Sequence, residues 1–185
     1  MPIYTSQYPP AHNDTYVKAT TKYSTSFWAY YATDPAKSLT GSQISNSWAS
    51  ANAVYTNQRF HIDLGEAKII RRIYYENWHS AGTETNRGAY NFVFQGSNDG
   101  TAFSTLTYAT DTNWTTISVA QNTFDEHSAL DAADPKYILA TNTTAYRYYA
   151  IKISDNRVGS QYMGIRRIEL QTAADDSGGS PIFFD

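Results

Sequence analysis

With 185 residues, 41% of them hydrophobic and 17% charged, the chain can build one domain with a real core under a surface of neutral polar groups. A formal net charge of −3 with no clustered basic face excludes a nucleic-acid binder that works through phosphate contacts. The absence of cysteine excludes disulfides and thiolate metal sites, and the 16 Tyr, eight Phe and four Trp favour strands, whose half-buried faces suit aromatic rings.

Residues 1–14 hold three of the six prolines and predict an extended arm. Further on, Phe60, Ile62 and Leu64 alternate and end at Gly65, which predicts a strand, and Ile69–Tyr75 predicts the next. Tyr90, Phe92, Phe94 and Gly96 alternate again. Ser97-Asn98-Asp99-Gly100 then predicts a hairpin turn with positive φ at Asp-Gly, and Phe103, Leu106 and Tyr108 would lie on its far side. Later strands are expected at Lys136–Ala140, at Tyr146–Ile153 with Tyr149, Ile151 and Ile153 inward, and at Ile165–Leu170. The pairs Arg71-Arg72 and Arg166-Arg167 are expected to point outward from strands. No segment carries a sustained helical period. About eight strands with long connections give an all-β, two-sheet jelly-roll β-sandwich over residues 15–172. Residues 173–185 continue as a flexible linker, Asp175 to Ser180, and an apolar tip, Pro181-Ile182-Phe183-Phe184, suited to docking on its own domain or a neighbouring subunit. Neither a signal-peptide core nor a transmembrane run is visible, which leaves both a cytoplasmic and a virion or extracellular location open.

The order of these segments resembles the discoidin or coagulation factor type C (F5/8 type C) family, part of the galactose-binding-like group that includes many carbohydrate-binding modules. Five pieces carry the resemblance: Ala36 to Gly41 leading to Trp48, Phe60-His61-Ile62-Asp63-Leu64-Gly65, Phe94 to Gly100 with Phe103, Tyr146 to Ile153, and Ile165 to Leu170. Together they span about Tyr16 to Thr172. Asp63 is placed to accept backbone N–H bonds at its turn, while Arg147, Arg167 and Glu169 suit charge pairing between strands. The resemblance implies a non-catalytic domain whose ligand face is the set of loops at one end. Many carbohydrate-binding relatives also hold a structural calcium through a loop Asp and a Glu on the last strand. In this chain Thr40 stands at the first position and Arg167 is aligned with the second, so both anionic ligands are missing. No structural metal is therefore expected, although Thr40, Ser42, Asn46 and nearby carbonyls leave a weak cation site open.

Two loops attract attention. Ser24–Tyr31 corresponds to a protruding spike in the family and offers Phe27 and Trp28; Glu76–Tyr90 offers Trp78, His79, Glu84, Asn86 and Arg87. Arg157, in the stretch Asp155–Tyr162, is expected near the same end. Carbohydrate sites combine an apolar platform with a few polar groups for hydroxyls, and these residue types supply both. The plainer reading makes Trp78 a cap on the core and Arg87 the partner of Glu84. Glu84 with Glu76 or Asp99 could be imagined as a glycosidase pair, but nothing in the spacing fixes the two carboxyls around a bond, and no catalysis is expected. The first functional expectation is thus a glycan-binding module. The alternative is a structural or adhesion subunit of a larger particle, a phage or virion appendage, that self-associates through residues 1–14 and 173–185. A membrane-surface binder using Phe27 and Trp28 is disfavoured by the lack of a basic collar, and a protein-recognition adaptor stays open.

Overall fold

Alternating apolar residues set the core. The structure, a computed structural model, describes residues 2–174. Strand β4 (Gln58–Lys68) buries Phe60, Ile62 and Leu64 on one face, as its period of two requires. It pairs antiparallel with β9 (Tyr146–Ile153), which in turn pairs with β6 (Phe92–Ser97). The registers place Ile151 between Phe60 and Phe94, and the inward Tyr149, Ile151 and Ile153 are buried as expected. Strand β2 (Val17–Ala19) closes this layer beside β4, and β7 (Thr115–Val119) flanks β6.

The facing layer is β1 (Tyr4–Gln7), β10 (Gly164–Ala173), β5 (Arg72–Asn77) and β8 (Lys136–Thr141), with β3 (Trp48–Ala49) paired to one end of β10. A short β7–β8 ladder joins the two layers into one curled ten-stranded antiparallel sheet. Trp48, Ile73, Ile138, Ile165, Ile168 and Leu170 fill the space between the layers with the β4, β6 and β9 residues. No described helix is long and apolar enough to cross a membrane.

Three expectations need correction. The extended arm expected over residues 1–14 is docked on the domain: its residues Tyr4–Gln7 pair with Ala173–Leu170 as the edge strand of a layer. Asp99-Gly100 does not make a hairpin turn. The Asp99 carboxylate accepts from the Thr101 and Ala102 amides and caps a short helix α1 (Gly100–Ser104), so Phe103 is helical and the chain reaches its next strand only at Thr115. This excursion covers the outer face of β4, where Arg59 and His61 are fully buried. Finally, Arg166 and Arg167 are both buried. The register slips between Ile165 (opposite Asn77) and Arg167 (opposite Glu76), making Arg166 the extra residue of a β-bulge, and a bulge re-aims the side chain it carries. Strand β10 runs on to Ala173, and the Ala174 amide donates to the Ile3 carbonyl at 2.9 Å. The apolar tip at 181–184 lies outside the described residues.

Candidate functional site

The Glu76–Tyr90 loop divides into a buried inner part and an open outer part. In the inner part the Asn77 side-chain amide donates to the carbonyls of Ala89 and Asp125, and its oxygen accepts from the Trp78 amide. Trp78 is fully buried against Gly164, where an added Cβ would stand 2.0 Å from the indole; only glycine permits that approach. His79 is equally buried. Its Nδ1 accepts from the Gly82 amide and its Nε2 lies 2.8 Å from the Leu39 carbonyl, a pairing that needs the neutral Nε2–H tautomer. The ring stacks on His127 with centroids 3.9 Å apart. Burial pulls the His79 imidazole down to about 4, helped by the neighbouring His127 and Arg166 and opposed by the Leu39 carbonyl.

In the outer part Glu84 takes a left-handed backbone (φ 58°) and starts a single turn of 3-10 helix, Thr85–Arg87. Arg87 Nη1 bonds Glu84 Oε1 at 2.8 Å and the Tyr162 hydroxyl at 2.7 Å, and that hydroxyl lies 3.2 Å from Glu84 Oε2. Burial raises the Tyr162 pKa. The Tyr162 ring packs edge-on against Trp78 below it and against Tyr23 beside it, at 5.4 and 5.2 Å. Together Tyr23, Phe27, Gln43, Ile44, Ala49 and Tyr162 line a cleft of about 230 Å³, and Glu84 and Arg87 bond to the hydroxyl of its Tyr162. Gln43 accepts from the Ser80 hydroxyl through Oε1, while its Nε2, like Nε and Nη2 of Arg87, has no acceptor among the described residues. Four non-glycine residues with positive φ stand in the surrounding loops: Ser45, Ala81, Glu84 and Gln161. Such strained positions collect at binding sites because only an over-determined loop can hold them.

The structure therefore sorts the expected residues. Phe27 lines the cleft, and Glu84 and Arg87 reach it through the Tyr162 hydroxyl. Trp78 and His79 are corrected from contact residues to core: every face of each is covered by the protein. Trp28 turns away from Phe27, stacks on Tyr30 and receives Lys22 Nζ 3.7 Å over its ring; it lines a separate hollow with Val17, Lys18 and Leu106. Asn86 is exposed, and its carbonyl accepts from the Val158 amide. Arg157 faces the Phe124 carbonyl and the Tyr90 ring, which commits its guanidinium to the framework. Tyr162 ends the Asp155–Tyr162 stretch expected near this end, whereas Tyr23, Gln43 and Ile44 were not anticipated. The signal for Tyr162 was its place in that stretch; Tyr23, Gln43 and Ile44 had none.

The calcium loop fits its metal poorly. Its backbone carbonyls at Thr40 and Ser42 already accept from Arg166, and the Asn46 amide is bonded within the loop to Ser38, Ser42 and Ile44. The basic residue among these carbonyls is Arg166, not the aligned Arg167, whose guanidinium instead meets Glu169 and the Lys37 carbonyl. No cluster of three or more His, Asp or Glu suited to a metal occurs among the described residues.

The profile of the F5/8 type C domain matches residues 17–152. No curated protein matches the chain. Several solved structures share the fold. The family 32 carbohydrate-binding module of NanJ from C. perfringens, in complex with galactose, is 14% identical, with a TM-score of 0.59 over 92% of this chain and 100% of its own. Chitosan-binding module 1 of a chitosanase/glucanase from Paenibacillus sp. IK-5 is 23% identical, with a TM-score of 0.52 over 83% of this chain and 92% of its own. CpGH89CBM32-5 from Clostridium perfringens, in complex with GalNAc-β-1,3-galactose, is 15% identical, with a TM-score of 0.53 over 83% and 92%.

Proposed function

This chain belongs to the F5/8 type C domain family, and from that premise we propose that it is a glycan-binding module whose sugar site is the cleft of Tyr23, Phe27, Gln43 and Tyr162, joined by Glu84 and Arg87 through the Tyr162 hydroxyl. The observation that carries the reading is the meeting of two partly exposed tyrosine rings with hydrogen-bonding groups that the protein itself leaves unused, Nε and Nη2 of Arg87 and Nε2 of Gln43. A sugar ring has an apolar C–H face and an equatorial fringe of hydroxyls. Tyr23 and Tyr162 suit the first, and the guanidinium and amide donors suit the second. Ser80–Gln43 and Arg87–Tyr162 bonds tie the surrounding loops to one another, and a pre-ordered site loses less entropy when a small ligand is clamped.

Similar folds that bind galactose, GalNAc-β-1,3-galactose, chitosan and pectin support a saccharide over other small molecules. A non-catalytic role agrees with the placement of the carboxylates. Glu84 contacts Arg87 and Tyr162 and no second carboxylate, Glu76 is buried beneath the Tyr74 hydroxyl and the Asp134 amide, and Asp99 caps α1. The alternative of a particle subunit leans on the apolar tip, which lies outside the described residues. The deciding experiment is a glycan array carrying galactosides, amino-sugar oligomers and uronides, probed with the full chain and with Arg87→Ala. Binding by the first that is weakened at least tenfold in the second is expected; no binding to any glycan would overturn the reading.

A further inference from the structure

Five backbone carbonyl oxygens converge on one buried guanidinium. Arg166 Nε donates to the Ser38 carbonyl at 3.2 Å, Nη1 to Gly41 and His79 at 3.2 and 3.0 Å, and Nη2 to Thr40 and to Ser42, the latter at 3.3 Å. The side chain is fully buried. No carboxylate is among its hydrogen-bond partners; Asp131 and Glu76 act on it only from a distance, and Asp131 binds the Gly41 amide instead. Consecutive carbonyls at 40, 41 and 42 can face one centre because Gly41 sits at φ +70°, a conformation that favours glycine.

An array of carbonyl oxygens with no anion is an environment for a cation. Empty, the same oxygens would repel one another and bury unsatisfied acceptors. We propose that the Arg166 guanidinium is a tethered replacement for a divalent cation, tying the 38–42 loop to His79 so that the binding end assembles without metal. The planar fork of arginine presents five N–H donors in fixed directions, and all five are used here. Burial lowers the Arg166 pKa to about 10, so the group stays charged at neutral pH. The bulge is the device that delivers it: an unbulged β10 would alternate its side chains and could not send Arg166 into the loop while keeping Arg167 against Lys37 and Glu169.

Removing the tethered cation should uncover the cage, and supplying a carboxylate in its place should convert it into a calcium site. The test is thermal unfolding of the full chain and of Arg166→Glu, each in EDTA and in millimolar CaCl2. The wild-type Tm is expected to be the same in both, and the Arg166→Glu Tm to be lower in EDTA and to rise by about 5 °C or more with calcium. A wild-type Tm that falls in EDTA, or a folded Arg166→Glu indifferent to calcium, would overturn the proposal. If Arg166→Glu folds in neither condition, Arg166→Lys and Arg166→Met decide. The lysine variant should keep the higher Tm, because the carbonyls need a cation; an equal or lower Tm for lysine would overturn the proposal as well.

Discussion

The layer of Trp78, His79 and Arg166 and the layer of Tyr23, Glu84, Arg87 and Tyr162 are built from the same kinds of residue and do opposite things. In the lower layer every polar group of His79 and Arg166 has a protein partner, and all three side chains are fully buried. In the upper layer Arg87 uses only Nη1, and Tyr23 keeps 44% of its surface exposed. Two arginines with identical chemistry thus divide into framework and proposed site according to whether their donors are already satisfied. The lower layer should respond to perturbation as stability, and the upper as affinity.

Acid should break the buried framework first, through His79 in the lower layer and through His61 on the covered outer face of β4. Burial lowers both His61 and His79 to about 4, while the unfolded chain titrates near 6.5. The unfolded state therefore takes up protons that the folded state refuses, and stability present above pH 6.5 is lost as the pH falls towards 4. The slope is about 1.4 kcal/mol per pH unit for each histidine, on the order of 3 kcal/mol each and roughly 7 kcal/mol for the pair at full effect. Chemical denaturation across this range should show the decline, and His61→Gln should remove part of it; a flat profile would contradict the buried neutral assignment. Next in size, Trp78→Ala should cost about 3–5 kcal/mol of folding stability, the range for emptying a fully buried aromatic position. Its effect on glycan affinity should be no larger than that of the structural loss. Smallest in stability is Arg87→Ala, below about 1 kcal/mol because its ion pair is partly solvated. The same change should weaken glycan binding at least tenfold, and Trp28→Ala should leave binding unaltered.

How far the sequence reveals this division differs between fold and site. The layers around Phe60, Phe94 and Ile151 follow from a period of two, which depends only on local alternation. The Asp99-Gly100 turn misleads because a carboxylate followed by glycine suits both a hairpin and a helix cap, and the choice belongs to the 101–114 excursion that must cover Arg59 and His61. Trp78 and Phe27 look alike as aromatic loop residues. What buries one is Gly164, far along the chain, and no local pattern encodes that contact. Arg166 and Arg167 are adjacent and chemically equal, and only a bulge set by pairing with β5 decides which enters the carbonyl cage. Tyr162 and Gln43 depend on three loops meeting, so their role emerges only in the folded chain.

The most direct test of the binding cleft is a 1H–15N NMR titration of the full chain with the glycan that gives the strongest array signal. Shifts are expected to centre on Tyr23, Phe27, Gln43, Glu84, Arg87 and Tyr162 and to need at least tenfold more glycan with Arg87→Ala. Shifts centred instead on Lys18, Lys22 and Trp28, in the hollow on the other side of the 23–31 loop, would contradict it.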